Sequence, residues 1–231
     1  MSFTRISGIA AIGFAALIVL GNVIVAPAGF PLTGAGIEEV AEFFSTEGDI
    51  LGIGSAFAPA AWVLAALFGA GAVAALWRRE RERGEAWSIL GLAGLVMQNT
   101  IFAGIIATRL ALTSTAAHDT SATSGLWALH EGLFTLNGTF LAAALLGLSM
   151  GGLRTGLIRR WHGAIGLLAA ALQFSSATLA YWVVNEGGLL GLLALAGWLI
   201  WVVWIVAYGL ALIRVESEPV HVPAIDSMRS R

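Results

Sequence analysis

The chain has 231 residues, of which 58% are hydrophobic and 11% are charged, and its formal net charge is −2. This composition is far from that of a soluble domain and is typical of a membrane protein. Because the chain has no cysteine, disulfides, thiolate metal sites and cysteine nucleophiles are excluded.

Apolar segments long enough to cross a hydrocarbon core of about 30 Å as helices recur along the chain. They are predicted at residues 6–26, 50–77, 86–112, 125–150, 161–184 and 189–213. The expected fold class is therefore all-α, a polytopic bundle of six transmembrane helices in one domain over residues 1–213. Residues 214–231 combine two prolines with mixed charge and no apolar period, which is typical of a disordered tail.

The first span has a competing interpretation. Arg5, an apolar stretch and then Ala26, Pro27 and Ala28 imitate a signal peptide with its cleavage site. The apolar stretch is longer than that of an ordinary signal peptide, which favours a retained span. Cleavage would leave five spans and the same orientation for the rest.

Residues 35–48 are too polar to cross a membrane, but they carry the apolar spacing of a short helix. Ile37, Val40, Ala41 and Phe44 follow the i, i+3, i+4, i+7 rule, and acidic side chains occupy the opposite face. The segment is predicted to lie on the outer surface, either as a packed connector, which we prefer, or as a lid over a cavity.

The basic residues are segregated along the chain. All twelve are arginines, and eleven of them lie in the termini, between spans two and three or between spans four and five. The opposite loops are acidic, with Arg109 the only base near that face. The positive-inside rule then predicts a protein of the bacterial cytoplasmic membrane with both termini inside.

Polar side chains inside the predicted spans are the candidates for function, because each is costly to bury in lipid. Arg109 in span three and Glu131 in span four lie at similar height near the outer surface. His130 shares a helix face with Trp127, Phe134 and Asn137. Four amide side chains form a layer near the midplane: Gln98, Asn99, Asn137 and Gln173.

His130 and Glu131 are adjacent in sequence, but their side chains leave a helix about 100° apart. We therefore expect Glu131 to pair with Arg109 across a helix contact, and His130 to line one wall with Asn137. The predicted ligand-binding set is Arg109, Glu131, His130, Asn137, Trp127, Gln98 and Gln173. Glu131 and His130 would be the catalytic pair if the protein were an enzyme.

Other polar and aromatic residues favour structural interpretations. His162, beside Trp161 and two arginines, is expected to be an anchor at the inner membrane boundary. Trp198, Trp201 and Trp204 are spaced as a packing or lipid-facing stripe. The four histidines have no spacing suited to a metal or haem site, and no nucleotide or nucleic-acid motif occurs, so no cofactor is predicted.

The segments LWALHEGLFTLNGTFLAAALLG and LIRRWHGAIGLLAAAL, with GNVIVAP at the end of span one, resemble small six-helix membrane proteins common in actinobacteria. The resemblance covers spans one to five and implies a fold, but no catalytic residues. The leading hypothesis is binding or transport of a small lipophilic or cationic molecule in a cavity open to the outer leaflet. An intramembrane isomerase or cyclase and a structural accessory subunit are the alternatives. The oligomeric state is not indicated.

Overall fold

The computed structural model describes residues 1–186 and 188–215, and all of their regular secondary structure is helical. The predicted tail lies outside the described residues from residue 216 onward. The helices are α1 (Phe3–Val25), α2 (Ile37–Thr46), α3 (Gly48–Ser55), α4 (Ala58–Glu82), α5 (Trp87–Thr115), α6 (Thr120–Thr155), α7 (Arg160–Thr178), α8 (Ala180–Glu186) and α9 (Gly191–Arg214).

Five segments of the described chain are long and apolar enough to cross a membrane. They are Phe3–Ala28, Gly48–Glu82, Trp87–Thr115, Thr120–Thr155 and Gly188–Arg214. These five correspond to predicted spans one, two, three, four and six, so the all-α membrane fold is confirmed at this level.

The predicted fifth span, 161–184, is not among those five. It consists of α7, which has 19 residues, and the short α8, and the chain is interrupted at Leu179 between them. The apolar character of α7 is also diluted by His162, Gln173 and two serines. Even so, α7 packs along both α6 and α9.

The predicted second span, 50–77, is two helices rather than one. Pro59 stands in the first turn of α4, and α3 ends four residues earlier at Ser55. Proline has no backbone N–H, and its ring clashes with the carbonyl four residues before it, so a continuous helix is disfavoured there.

The longest helix, α6, has 36 residues and is the centre of the bundle. The Asp119 carboxylate caps its start by accepting from the Ala122 amide at 2.9 Å. Gly156 ends it in the left-handed conformation, with φ 77°, that favours glycine. Along its length α6 packs against α5 on one side and α7 on the other.

Close helix packing depends on small residues, as is common in membranes. A methyl group on Gly147 of α6 would lie 2.6 Å from the Trp87 carbonyl oxygen of α5. One on Gly8 of α1 would lie 2.5 Å from the Gly209 carbonyl oxygen of α9. These glycines let the helix backbones touch.

The segment predicted to form a short amphipathic helix contains α2. Val40, Phe43 and Phe44 are buried, whereas Glu38, Glu39 and Glu42 are exposed. Together with the preceding loop, α2 packs over the C-terminal end of α5 and the N-terminal end of α6. This cover lies directly above the polar groups that the sequence singles out.

The two arginine-rich loops meet at the other end of the bundle. Arg79 donates from Nη1 to the Thr155 carbonyl oxygen at 2.9 Å, and Arg83 donates to the Arg154 carbonyl oxygen. Arg154 Nε donates to both carboxylate oxygens of Glu85, at 2.7 and 2.8 Å. The loops that follow α4 and α6 therefore form one polar end of the bundle.

Candidate functional site

Arg109 and His130 meet between α5 and α6. Arg109 Nε donates a hydrogen bond to His130 Nε2 at 3.0 Å. A guanidinium has only donors, so Nε2 must be the acceptor, and the imidazole is neutral with its proton on Nδ1. The His130 side chain is 4% exposed, which places this hydrogen bond inside the protein.

The expected ion pair between Arg109 and Glu131 is absent from the described part of the chain, where no carboxylate forms a salt bridge with Arg109. Instead, the Arg109 Cζ atom lies 4.6 Å from the centroid of the Phe30 ring. A cation over an aromatic face is stabilised by the ring quadrupole. The sequence pairing was wrong because the loop before α2 supplies contacts that helix spacing alone does not reveal.

Glu131 is 7% exposed and bonds to that loop. Its Oε1 atom accepts from the Gly34 backbone N–H at 2.6 Å. We call residues 29–36 the Phe30 loop; Gly29 and Gly34 both adopt left-handed φ values, 76° and 84°. Glu131 thereby fixes the far end of the Phe30 loop against α6.

Three rings stack along one face of α6. The Trp127 and His130 ring centroids are 4.9 Å apart with an interplanar angle of 11°, and those of His130 and Phe134 are 6.0 Å apart at 13°. The i, i+3, i+4 spacing predicted this common face. Phe30 closes the cluster from outside, with its centroid 6.0 Å from that of His130.

Two buried donors in this cluster have no partner. Trp127 Nε1 and His130 Nδ1 form no hydrogen bond within the described residues. A buried polar group without a partner costs about 1–3 kcal/mol, and here two such donors lie on stacked rings. We call Arg109, Trp127 and His130 the donor cluster.

The predicted amide layer separates into two parts. Gln173 Nε2 donates to the Ala194 carbonyl oxygen at 3.0 Å, which joins α7 to α9 and gives this residue a structural role. In contrast, Gln98 Oε1 and Asn137 Oδ1 are buried and have no partner in the described chain. Asn99 bonds within its own helix, to the Leu95 carbonyl oxygen at 2.9 Å.

A groove of about 350 Å³ runs between α5 and α6 below the donor cluster. Its volume is at the lower end of the range for small-molecule sites. Its lining is apolar apart from the side chains of Asn137 and Thr139, and the remaining residues are Ile101, Leu133, Leu136 and Phe140. The groove thus combines a hydrocarbon-like wall with one unpartnered amide.

A second groove, of about 460 Å³, lies at the arginine-rich end. All of its lining residues, among them Trp77 and Arg81, lie near the C-terminal end of α4. A depression formed by one helix lacks the enclosure that a small-molecule site provides. The groove between α5 and α6 is bounded by two helices, through Ile101 of α5 and five residues of α6, and is the better candidate.

His162 differs from its predicted role at the membrane boundary. It is buried, its Nε2 lies 2.9 Å from the Trp204 carbonyl oxygen, and its ring packs against those of Trp204 and Tyr208. The predicted tryptophan stripe contributes to the same core, where Trp201 packs edge-on against Phe14 of α1. These residues hold helices together and lie away from the donor cluster.

Sequence reasoning missed Glu80, which is fully buried at the end of α4. Its two oxygens accept from the Ser88 backbone N–H at 3.0 and 3.1 Å, and from the Ser88 hydroxyl at 2.5 Å. It supplies the cap that the first turn of α5 otherwise lacks. The signal was present, because Glu80 continues the buried i+4 series of Ala72 and Leu76.

Phe30 and Gly34 were missed as well, because no sequence pattern predicts their contacts. A backbone amide leaves no trace in residue type, and Phe30 lies in a loop without periodicity.

Among the described residues, no group of three or more potential metal ligands comes together.

No family model, no curated protein and no solved structure matches this chain. The resemblance to actinobacterial six-helix membrane proteins therefore stays a prediction.

Proposed function

We propose that this protein binds a small lipophilic molecule in the groove between α5 and α6, and holds it there or passes it across the membrane. The observation that carries the proposal is an apolar groove of about 350 Å³ containing the unpartnered Asn137 amide. Groove lining of this kind suits a hydrocarbon chain, with a few polar groups to orient it.

The groove lies between two helices that are each apolar and long enough to cross a membrane. A lipophilic molecule would enter sideways from the bilayer without crossing water. Of the two ligand classes predicted from the sequence, a cation is the less suited, because the cationic Arg109 lies above the groove and the Glu131 carboxylate already accepts from the Gly34 amide.

The proposal includes six membrane crossings and both termini on the cytoplasmic side of a bacterial membrane. Two observations support it. The arginine-rich loops after α4 and α6 contact each other at one end of the bundle, and α7 is packed between α6 and α9 like a spanning helix. The positive-inside rule then gives the orientation, and the Phe30 loop and α2 face outward.

The test is photolabelling with a neutral probe, dodecanol carrying a mid-chain diazirine, on the purified full chain in lipid nanodiscs. Thr139→Phe fills the groove, because Thr139 lines it. Thr100→Phe is the matched control, because Thr100 is exposed on α5 and does not line the groove. Peptide mapping by mass spectrometry locates the label.

The proposal expects label concentrated on residues 133–140 of the wild type and of the Thr100→Phe variant, and strongly reduced in the Thr139→Phe variant. Label spread evenly over lipid-exposed helices, or equal in all three proteins, would overturn it and favour a structural role for the polar groups. A folded Thr139→Phe variant is confirmed by its elution volume and melting temperature.

A further inference from the structure

The donor cluster contains groups that can only donate hydrogen bonds to a ligand. The indole Nε1–H of Trp127 is a donor, and the His130 proton lies on Nδ1 because Nε2 already accepts from Arg109. The third member, Arg109, carries a guanidinium. Trp127 Nε1 and His130 Nδ1 are unpartnered on side chains that are 5% and 4% exposed.

The charge in this place is not balanced by the protein. No carboxylate in the described chain forms an ion pair with Arg109. The nearest candidate by sequence, Glu131, directs an oxygen to the Gly34 amide of the Phe30 loop. A cation held among unpartnered donors is complemented by an anion with several acceptor oxygens.

Two residues of the groove, Leu133 and Asn137, lie on or beside the face of α6 that carries His130. Asn137 lies seven residues after His130, which places it within about 20° of the same helix face and about 10 Å further along the axis. Leu133 lines the groove one turn beyond His130, and Phe134 stacks on the His130 ring. A head group at the donor cluster would therefore lead its chain into the groove.

We infer that the donor cluster is an anion subsite, in which Arg109, His130 and Trp127 bind the oxygen-bearing head of a single-chain amphiphile whose tail occupies the groove. The inference rests on the proposed function, because it assumes that a lipophilic chain occupies the groove. It adds the chemical class of the head group, a carboxylate or a phosphate monoester.

The inference is tested by competition against the dodecanol photoprobe with four molecules that share one chain length. Dodecanoate and dodecyl phosphate carry anionic heads, dodecanol a neutral head and dodecyltrimethylammonium a cationic head. Acetate and inorganic phosphate are included to separate a free anion from the head of an amphiphile. Affinities come from the concentration that halves the label on residues 133–140.

An anion subsite predicts that dodecanoate or dodecyl phosphate competes at least about tenfold better than dodecyltrimethylammonium, since a charged hydrogen bond contributes that much. Arg109→Gln should bring the ratio close to one, while Arg109→Lys keeps part of it. Trp127→Phe removes only the indole donor and should weaken the anionic competitors alone, whereas Trp161→Phe, at a 53% exposed tryptophan, should change nothing.

The possible failures are distinguishable. If all chains compete but the cation matches or exceeds the anions, the inference is wrong and the lipophilic groove stands. If acetate or phosphate alone competes as well as the amphiphiles, the head does not lead a chain into the groove and the inference is also wrong. If no probe labels residues 133–140 above the other helices, the proposed function itself fails. Should Arg109→Gln not fold, the Trp127→Phe result decides.

Discussion

Removal of the Phe30 ring should release the Phe30 loop from the bundle. The ring contacts α5 and α6 as well as α2: its centroid lies 5.3 Å from that of Phe43 and 6.2 Å from that of Trp127, and Arg109 Cζ is 4.6 Å away. The Phe30→Ala variant loses all these contacts and leaves the loop held by the buried Pro31 and by the hydrogen bond from Gly34 to Glu131.

The size of the effect follows from these contacts. A fully buried phenylalanine replaced by alanine costs about 3–5 kcal/mol. Phe30 is only half-buried, which lowers the figure, and loss of the contact with Arg109 adds about 1 kcal/mol. We expect a loss of about 2–3 kcal/mol in the free energy of loop opening, or roughly 30-fold or more in the opening equilibrium.

Amide hydrogen exchange is the direct assay, because the Gly34 N–H is itself bonded to Glu131. In nanodiscs, exchange at Gly34 should be at least about 30-fold faster in Phe30→Ala than in the wild type. Leu32→Ala is the matched control, since Leu32 lies in the same loop and is 80% exposed. Its exchange rate at Gly34 should equal that of the wild type.

Equal exchange in Phe30→Ala and wild type would refute the reasoning, because the loop would then be held by something other than the ring. Acceleration of the same size in Leu32→Ala would refute it as well, since any change in the loop would be enough. Exchange accelerated throughout α5 and α6 would show that Phe30 supports the whole bundle rather than the loop.

Three other predictions concern the rest of the fold. Gly147→Ala should lower the free energy of unfolding by 2 kcal/mol or more, at roughly the upper cost of overpacking, whereas Gly132→Ala, with open space at its Cβ position, should stabilise α6 by about 0.5–1 kcal/mol; comparable melting temperatures for the two would contradict this. Glu80→Ala should cost about 2 kcal/mol by leaving the buried Ser88 amide and hydroxyl without their acceptor, measured by thermal melting and contradicted by a change below about 0.5 kcal/mol. The Arg154 guanidinium bonded to Glu85 lowers the pKa of that carboxyl. The contribution of this ion pair to folding stability is therefore fully present above the ordinary glutamate pKa of about 4.3 and is lost as the pH falls through the lowered pKa. The difference in melting temperature between wild type and Glu85→Gln should shrink as the pH falls over that interval, and a constant difference would contradict the assignment.

The membrane fold could be predicted from the sequence because a helix that crosses the hydrocarbon core of a bilayer must be long and apolar. Length and apolar composition place five of the six predicted spans, and i, i+4 spacing places His130, Trp127 and Phe134 on one face. The same rules do not predict the break at Leu179, because no proline or glycine stands near it in the sequence.

The contacts of the site could be predicted only in part. The similar height of Arg109 on α5 and of His130 and Glu131 on α6 correctly predicted that Arg109 lies close to α6. Height alone does not show which of the two residues is its partner. That choice is made by the Phe30 loop, whose Gly34 amide takes the Glu131 carboxylate. Loop backbone groups have no sequence signature, so pairings that depend on them are visible only in the fold.

The central claim is that the groove between α5 and α6 holds one lipophilic chain rather than merely facing lipid. The most direct measurement is the binding of radiolabelled dodecanol to the protein in nanodiscs, with empty nanodiscs subtracted. We expect saturation at one dodecanol per chain, and loss of that saturable component in Thr139→Phe but not in Thr100→Phe. Uptake that rises in proportion to concentration without saturation, or a saturable component unchanged by Thr139→Phe, would contradict it.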